Sequence, residues 1–80
     1  MTLEQAVAQN LRAVRMQRKL SQERVAQKAG ISVSYVSMLE RGERSPPLET
    51  LECIAKALGV PPLSLLEGAS RPKPSRAARG

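Results

Sequence analysis

At 80 residues the chain has room for one small domain with a limited core, so it is marginal in stability by size alone. It contains no His, Phe or Trp, one Tyr and one Cys, so the commonest general base and metal ligand are missing, a lone thiol can close neither an internal disulfide nor a zinc site, and the core must come from Leu, Val, Ile, Ala and Met. The formal net charge of +6 is uneven: residues 1–67 hold nine basic and seven acidic side chains, while residues 68–80 hold four basic and none acidic, an excess that fits nucleic acid, an acidic partner or a membrane surface without choosing among them.

The first element is a helix over residues 3–19. Leu3, Val7, Leu11 and Val14, with Ala6 beside them, are spaced by four, four and three, and Thr2 followed by Gln5 forms a capping-box pattern. The start "MTLEQAVAQN" has no basic segment and no long apolar run, which argues against a signal peptide, and no stretch approaches the roughly 20 apolar residues of a membrane span. Lack of disulfides makes a reducing cytoplasm the natural compartment.

Ser21 is a good cap for a second helix, Glu23 complements its dipole, Gly30 stops it, and Val25, Ala26 and Ala29 form its apolar side. Ser32 caps a third helix, Val33 to Arg41, ended by Gly42; about three residues separate the two, so they must pack at a sharp angle. After the loop "ERSPP", Pro47 suits a first helical turn, and Leu48, Leu51, Ile54, Ala55 and Leu58 mark a fourth helix closed by Gly59. Cys53 sits on it and reads as a half-buried structural thiol. "VPPLSLLEG" suggests a fifth, short helix. From Gly68 on, the composition predicts a disordered basic tail; by default it needs no role, and in the other reading Arg71, Lys73, Arg76 and Arg79 add phosphate contacts. The domain is therefore expected over residues 1–67 and the tail over 68–80.

On a helical wheel Val36 and Leu39 fall together with Tyr35 beside them, ready to be buried against helices one and four. Val33, Ser34, Ser37, Met38 and Arg41 fall on the opposite side. That face is slim and almost uncharged, unlike the Glu and Lys of a plain solvent face, as suits a helix that lies in a groove.

Two short helices, a tight turn with Gly30 and a second helix opened by Ser make a helix-turn-helix pattern. With Leu20-Ser21-Gln22, Ala26, Ala29-Gly30, Ser32, Ser37, Leu39-Glu40-Arg41-Gly42, Pro46, Leu51, Ile54-Ala55 and Ala57-Leu58-Gly59 in order, the chain over about residues 5–66 resembles the Cro/CI-type (Xre) transcriptional regulators. The resemblance implies an all-α, five-helix, lambda-repressor-like domain. It implies that Val33, Ser34, Ser37 and Met38 face base edges, and that Gln22, Ser32, Tyr35, Arg41, Arg44 and Ser45 lie near the DNA backbone. It also implies a partly buried ion pair between Arg15 and Glu40.

The base-facing set departs from strong readers, which use Arg for guanine and Gln or Asn for adenine. Val33 and Met38 can touch thymine methyls and the serines tolerate several bases, so modest discrimination per half-site is expected, with spacing and DNA deformability supplying the rest. A homodimer is then expected, with Leu63, Leu65 and Leu66 as the candidate interface; these leucines could instead cap the domain's own core. The leading function is a small dimeric regulator, repressor or restriction–modification controller, in a bacterial or phage nucleoid setting. The alternative is an antitoxin-like or adaptor module whose main role is a protein partner. No cofactor, metal or enzymatic activity is expected: Glu40 and Glu43 are better explained by the ion pair and by solvent.

Overall fold

The computed structural model describes residues 2–68, and the basic tail residues Arg71, Lys73, Arg76 and Arg79 lie outside them. The first helix, α1, spans Leu3–Gln17 and opens on a complete capping box: Thr2 Oγ1 accepts from the Gln5 amide at 3.1 Å, and Gln5 Oε1 accepts from the Thr2 amide at 2.9 Å. It stops two residues short of the expected end. Lys19 turns into the left-handed region with φ 57°, while the Lys19 and Leu20 amides donate to the carbonyls of Met16 and Arg15 at 3.0 Å each. This is the backbone pattern that glycine ordinarily closes, and the reversal sends Leu20 back against the core. Lys19→Gly is therefore expected to raise stability by about 0.5–1 kcal/mol, because the strain relieved exceeds the entropy added to the unfolded chain. Chemical unfolding checks this; an unchanged or lowered midpoint contradicts it.

α2 (Gln22–Ala29) and α3 (Val33–Glu40) are each eight residues long and each capped by a serine: Ser21 Oγ accepts from the Arg24 amide at 3.0 Å and Ser32 Oγ from the Tyr35 amide at 3.1 Å. Gly30, at φ 75°, makes the turn between them and lets the Ile31 amide reach the Ala26 carbonyl at 3.0 Å. α4 spans Leu48–Leu58, with Pro47 just before the helix rather than in its first turn.

The fifth element is a single 3-10 turn, Pro62–Leu65, so the described residues form four α-helices and one turn of 3-10. Two prolines at its start lack amide hydrogens, and so short a run closes only i to i+3 bonds, Ser64 to Pro61 and Leu66 to Leu63, at 3.0 Å each.

The core comprises Val7, Leu11, Val25, Ala26, Val36, Leu39, Leu51, Ile54, Ala55, Leu58 and Leu65. α3 packs chiefly on α2 and α1, whereas the wheel suggested α1 and α4; α4 packs on α2 and on the 3-10 turn. Leu3 and Leu48 belong to apolar stripes yet stand 52% and 76% exposed. Each opens its helix, and a helical side chain leans toward the N-terminus, past the end of the packed layer.

Two expectations are corrected. Leu65 is fully buried in this domain's own core and cannot serve an interface, while Leu63 is 74% exposed and Leu66 half-buried. The Asn10 side-chain amide fixes that arrangement by donating to the Leu65 and Glu67 carbonyls at 3.1 and 2.8 Å. Cys53 is exposed rather than half-buried, because the buried stripe of α4 runs through residues 51, 54, 55 and 58, and position 53 falls on the other side. Among the described residues no helix is long and apolar enough to cross a membrane.

Candidate nucleic-acid interface

One polar cluster fixes α3 to the rest of the domain. Arg15, in the last turn of α1, donates through Nε to Glu40 Oε2 at 2.6 Å and through Nη2 to Glu40 Oε1 at 3.1 Å, a two-pronged contact across 25 residues of chain. Its remaining nitrogen, Nη1, donates to the Leu20 carbonyl at 2.9 Å. Gln22, the first residue of α2, adds a third bond to the carboxylate, Nε2 to Glu40 Oε1 at 3.0 Å. The side chains are 15% (Arg15) and 6% (Glu40) exposed, so both charges are largely withdrawn from water and answered by each other. Three helices thus meet at one carboxylate at the C-terminal end of α3. The family resemblance sets Gln22 at the DNA backbone and as a brace for the first base-facing residue; its bond to Glu40 is not legible in the sequence, since nothing in the spacing of residues 15, 22 and 40 brings them together.

The inward side of α3 is Val36 and Leu39, fully buried, with Tyr35 half-buried beside them. The outward side presents Val33, 41% exposed, then exposed Ser34 and half-buried Ser37 and Met38. Ser32, Arg41, Arg44 and Ser45 are exposed around this face, and Gln22 is half-buried. The serine caps occupy the third amide of α2 and of α3, which leaves the first two amides of each without an intrahelical partner at the helix mouth. Amides so placed, with the helix dipole behind them, attract anions.

Arg41 does not simply extend into solvent. Its Nε donates to Glu43 Oε2 at 2.7 Å and its Nη2 to Glu43 Oε1 at 3.3 Å, while Nη1 donates to Ser37 Oγ at 2.6 Å. The hydrogen bond from Arg41, and then its charge, hold the Glu43 carboxyl below the ordinary carboxylate range, and Glu43 in turn raises the guanidinium. The pair is exposed, with side chains at 55% and 51%. In the sequence Glu43 reads as a solvated charge; its position two residues after Arg41, across Gly42, is the signal that points to the pair.

Two short helices at a sharp turn, the second pinned by its buried side and bare on its outward side, define a helix-turn-helix domain. A family model described as Helix-turn-helix matches residues 11–65, and the chain belongs to that family, the Cro/CI-type (Xre) regulators. It is 46% identical over 54 residues to an immunity repressor protein of Bacillus phage phi105, a match covering 68% of this chain and 38% of the repressor. It is 40% identical over 60 residues to control protein C.BamHI of Bacillus amyloliquefaciens, covering 74% of each. Its fold superposes with a TM-score of 0.75 and 37% identity on the restriction-modification controller protein C.AhdI from Aeromonas hydrophila, covering 78% of this chain and 94% of that one. This chain therefore spans well under half of the phage repressor and most of the controller proteins.

Proposed function

We propose that the chain binds double-stranded DNA with sequence preference, as a small dimeric transcriptional regulator of the repressor or restriction–modification controller kind, with α3 in the major groove. The observation that carries this is the outward face of α3: slim, nearly uncharged, and held at a fixed attitude by a largely buried ion pair to which half-buried Gln22 adds a bond. In this reading Val33, Ser34, Ser37 and Met38 meet base edges. Gln22, Ser32, Tyr35, Arg41, Arg44 and Ser45 stand near the sugar-phosphate backbone, supported by the amides at the mouths of α2 and α3. The chain works in the cytoplasm, on DNA, without a cofactor and without catalysing a reaction.

Direct readout is modest by this account, because none of the four base-facing side chains can make a two-pronged contact. A second copy supplies the missing affinity, and Leu63 with the edge of Leu66 is the apolar surface that fits it; Leu65 is excluded by its burial. The same exposed leucine also suits a protein partner in an antitoxin-like or adaptor role, where DNA binding would be secondary.

Met38→Ala tests the base-reading assignment. Removing the thioether takes away one apolar contact with a thymine methyl, so the preference at one base step per half-site should relax while the rest of the binding profile persists. Profiles measured on a library of duplexes that are identical for wild type and variant would sink the assignment.

A further inference from the structure

We propose that Glu43 is a specificity-determining residue: it holds the Arg41 guanidinium off the DNA phosphates and onto Ser37, so that the Ser37 hydroxyl presents its proton to the bases. This rests on the DNA-binding reading above and refines it for Arg41, which stands beside the backbone with its guanidinium held by Glu43 and not by a phosphate. The geometry is local and complete. All three Arg41 nitrogens are engaged, two by the Glu43 carboxylate and one by Ser37 Oγ, the last at 2.6 Å. Glu43 is placed by backbone rather than by chance. Gly42 turns at φ 73°, its amide reaches the Leu39 carbonyl at 3.1 Å, and the Glu43 amide reaches the Met38 carbonyl at 3.0 Å, which folds residue 43 back over the end of α3.

Two consequences follow for a helix in the major groove. A serine hydroxyl free to rotate both donates and accepts, and so discriminates poorly. With Arg41 donating into one of its two lone pairs, Ser37 turns its own proton away from the guanidinium and keeps a single lone pair, which biases the hydroxyl toward donating. A donor-biased hydroxyl favours guanine O6 and N7, adenine N7 or thymine O4 over the cytosine amino group, which it can meet only through the remaining lone pair. Meanwhile Arg41, its charge answered by Glu43, adds little to the sequence-independent pull of the phosphates. Glu43 thus lowers affinity for any DNA and raises discrimination between sequences. A solvent-exposed pair of this kind is weak, so the effect is the size of one phosphate contact, not of a whole interface.

Wild type, Glu43→Gln, Arg41→Gln and the double variant would be titrated over a range of salt against two duplexes: the best sequence from a random library and a scrambled one. Glu43 is exposed, so matched unfolding midpoints are expected for wild type and Glu43→Gln. Glu43→Gln should tighten binding to the scrambled duplex roughly threefold to tenfold, steepen its salt slope by about 0.9, and narrow the ratio between the two duplexes. In the Arg41→Gln background the same change should do nothing. Equal tightening in both backgrounds would mean that Glu43 merely repels DNA, and would overturn the proposal. So would no change in either. If none of the four proteins binds either duplex, the DNA-binding reading itself falls and takes this proposal with it.

Discussion

Glu40→Ala is expected to destabilise the domain by about 3–5 kcal/mol, the range for removing one partner of a buried ion pair. The carboxylate is 6% exposed and accepts from both Arg15 and Gln22, so its loss leaves a largely buried guanidinium with the Leu20 carbonyl alone and takes a partner from the half-buried Gln22 amide. Arg15→Ala should cost a similar amount, leaving the carboxylate with Gln22 alone. A domain of the size of residues 1–67 holds in total about 3–10 kcal/mol, so either variant should melt roughly 15 °C or more below wild type. The double variant Arg15→Met with Glu40→Leu should recover much of the loss, because the desolvation penalty disappears with the charges. Thermal and chemical unfolding of the three variants checks this. A loss below about 1 kcal/mol for both single variants would mean that the pair behaves as a solvated surface contact. The consequence for function runs through geometry: the hub joins the end of α3 to α1 and to the start of α2, so the outward face of α3 is only as well placed as this pair.

Ser34→Glu is expected to do the opposite, leaving the fold intact and abolishing DNA binding. Ser34 is the second residue of α3 and exposed, where a carboxylate complements the helix dipole and should be neutral or slightly stabilising, by about 0.3–1 kcal/mol. On a face that enters the major groove, the same charge is set against the phosphates, and juxtaposed like charges cost several kcal/mol, so binding should fall about a hundredfold or more. Unfolding curves together with fluorescence anisotropy on a labelled duplex separate the two effects. Undiminished binding by a well-folded Ser34→Glu variant would remove α3 from the interface.

Much of the fold is legible in the sequence because its punctuation is local. The capping box at Thr2 and Gln5, the serine caps at 21 and 32, and the stops at Gly30, Gly42 and Gly59 act over three or four residues, and the structure places helix ends at or beside them. What periodicity misses depends on tertiary placement. It counts Leu3 and Leu48 as core, although each leans past the end of the packed layer. It cannot separate Leu63 from Leu65, because a two-residue offset in a 3-10 turn decides which one points inward, and Asn10, 55 residues away from Leu65, anchors that turn.

The candidate site divides the same way. The outward set on α3 follows from a helical wheel. The Arg15–Glu40 pair follows from family resemblance alone, since no spacing rule links a residue of α1 to one 25 positions later. Gln22 at the same carboxylate emerges only when side chains are placed in space, whereas Glu43 on Arg41 leaves a weak trace in the sequence, an acidic residue two positions on across a glycine.

Selection of bound DNA from a random duplex library at near-physiological salt decides whether α3 reads sequence. A two-fold symmetric motif, with half-sites about one helical turn apart and contacted positions tolerant except at thymine-rich steps, is the predicted result. Enrichment of no sequence, or of base composition alone, would contradict it and leave α3 as a helix that reads nothing.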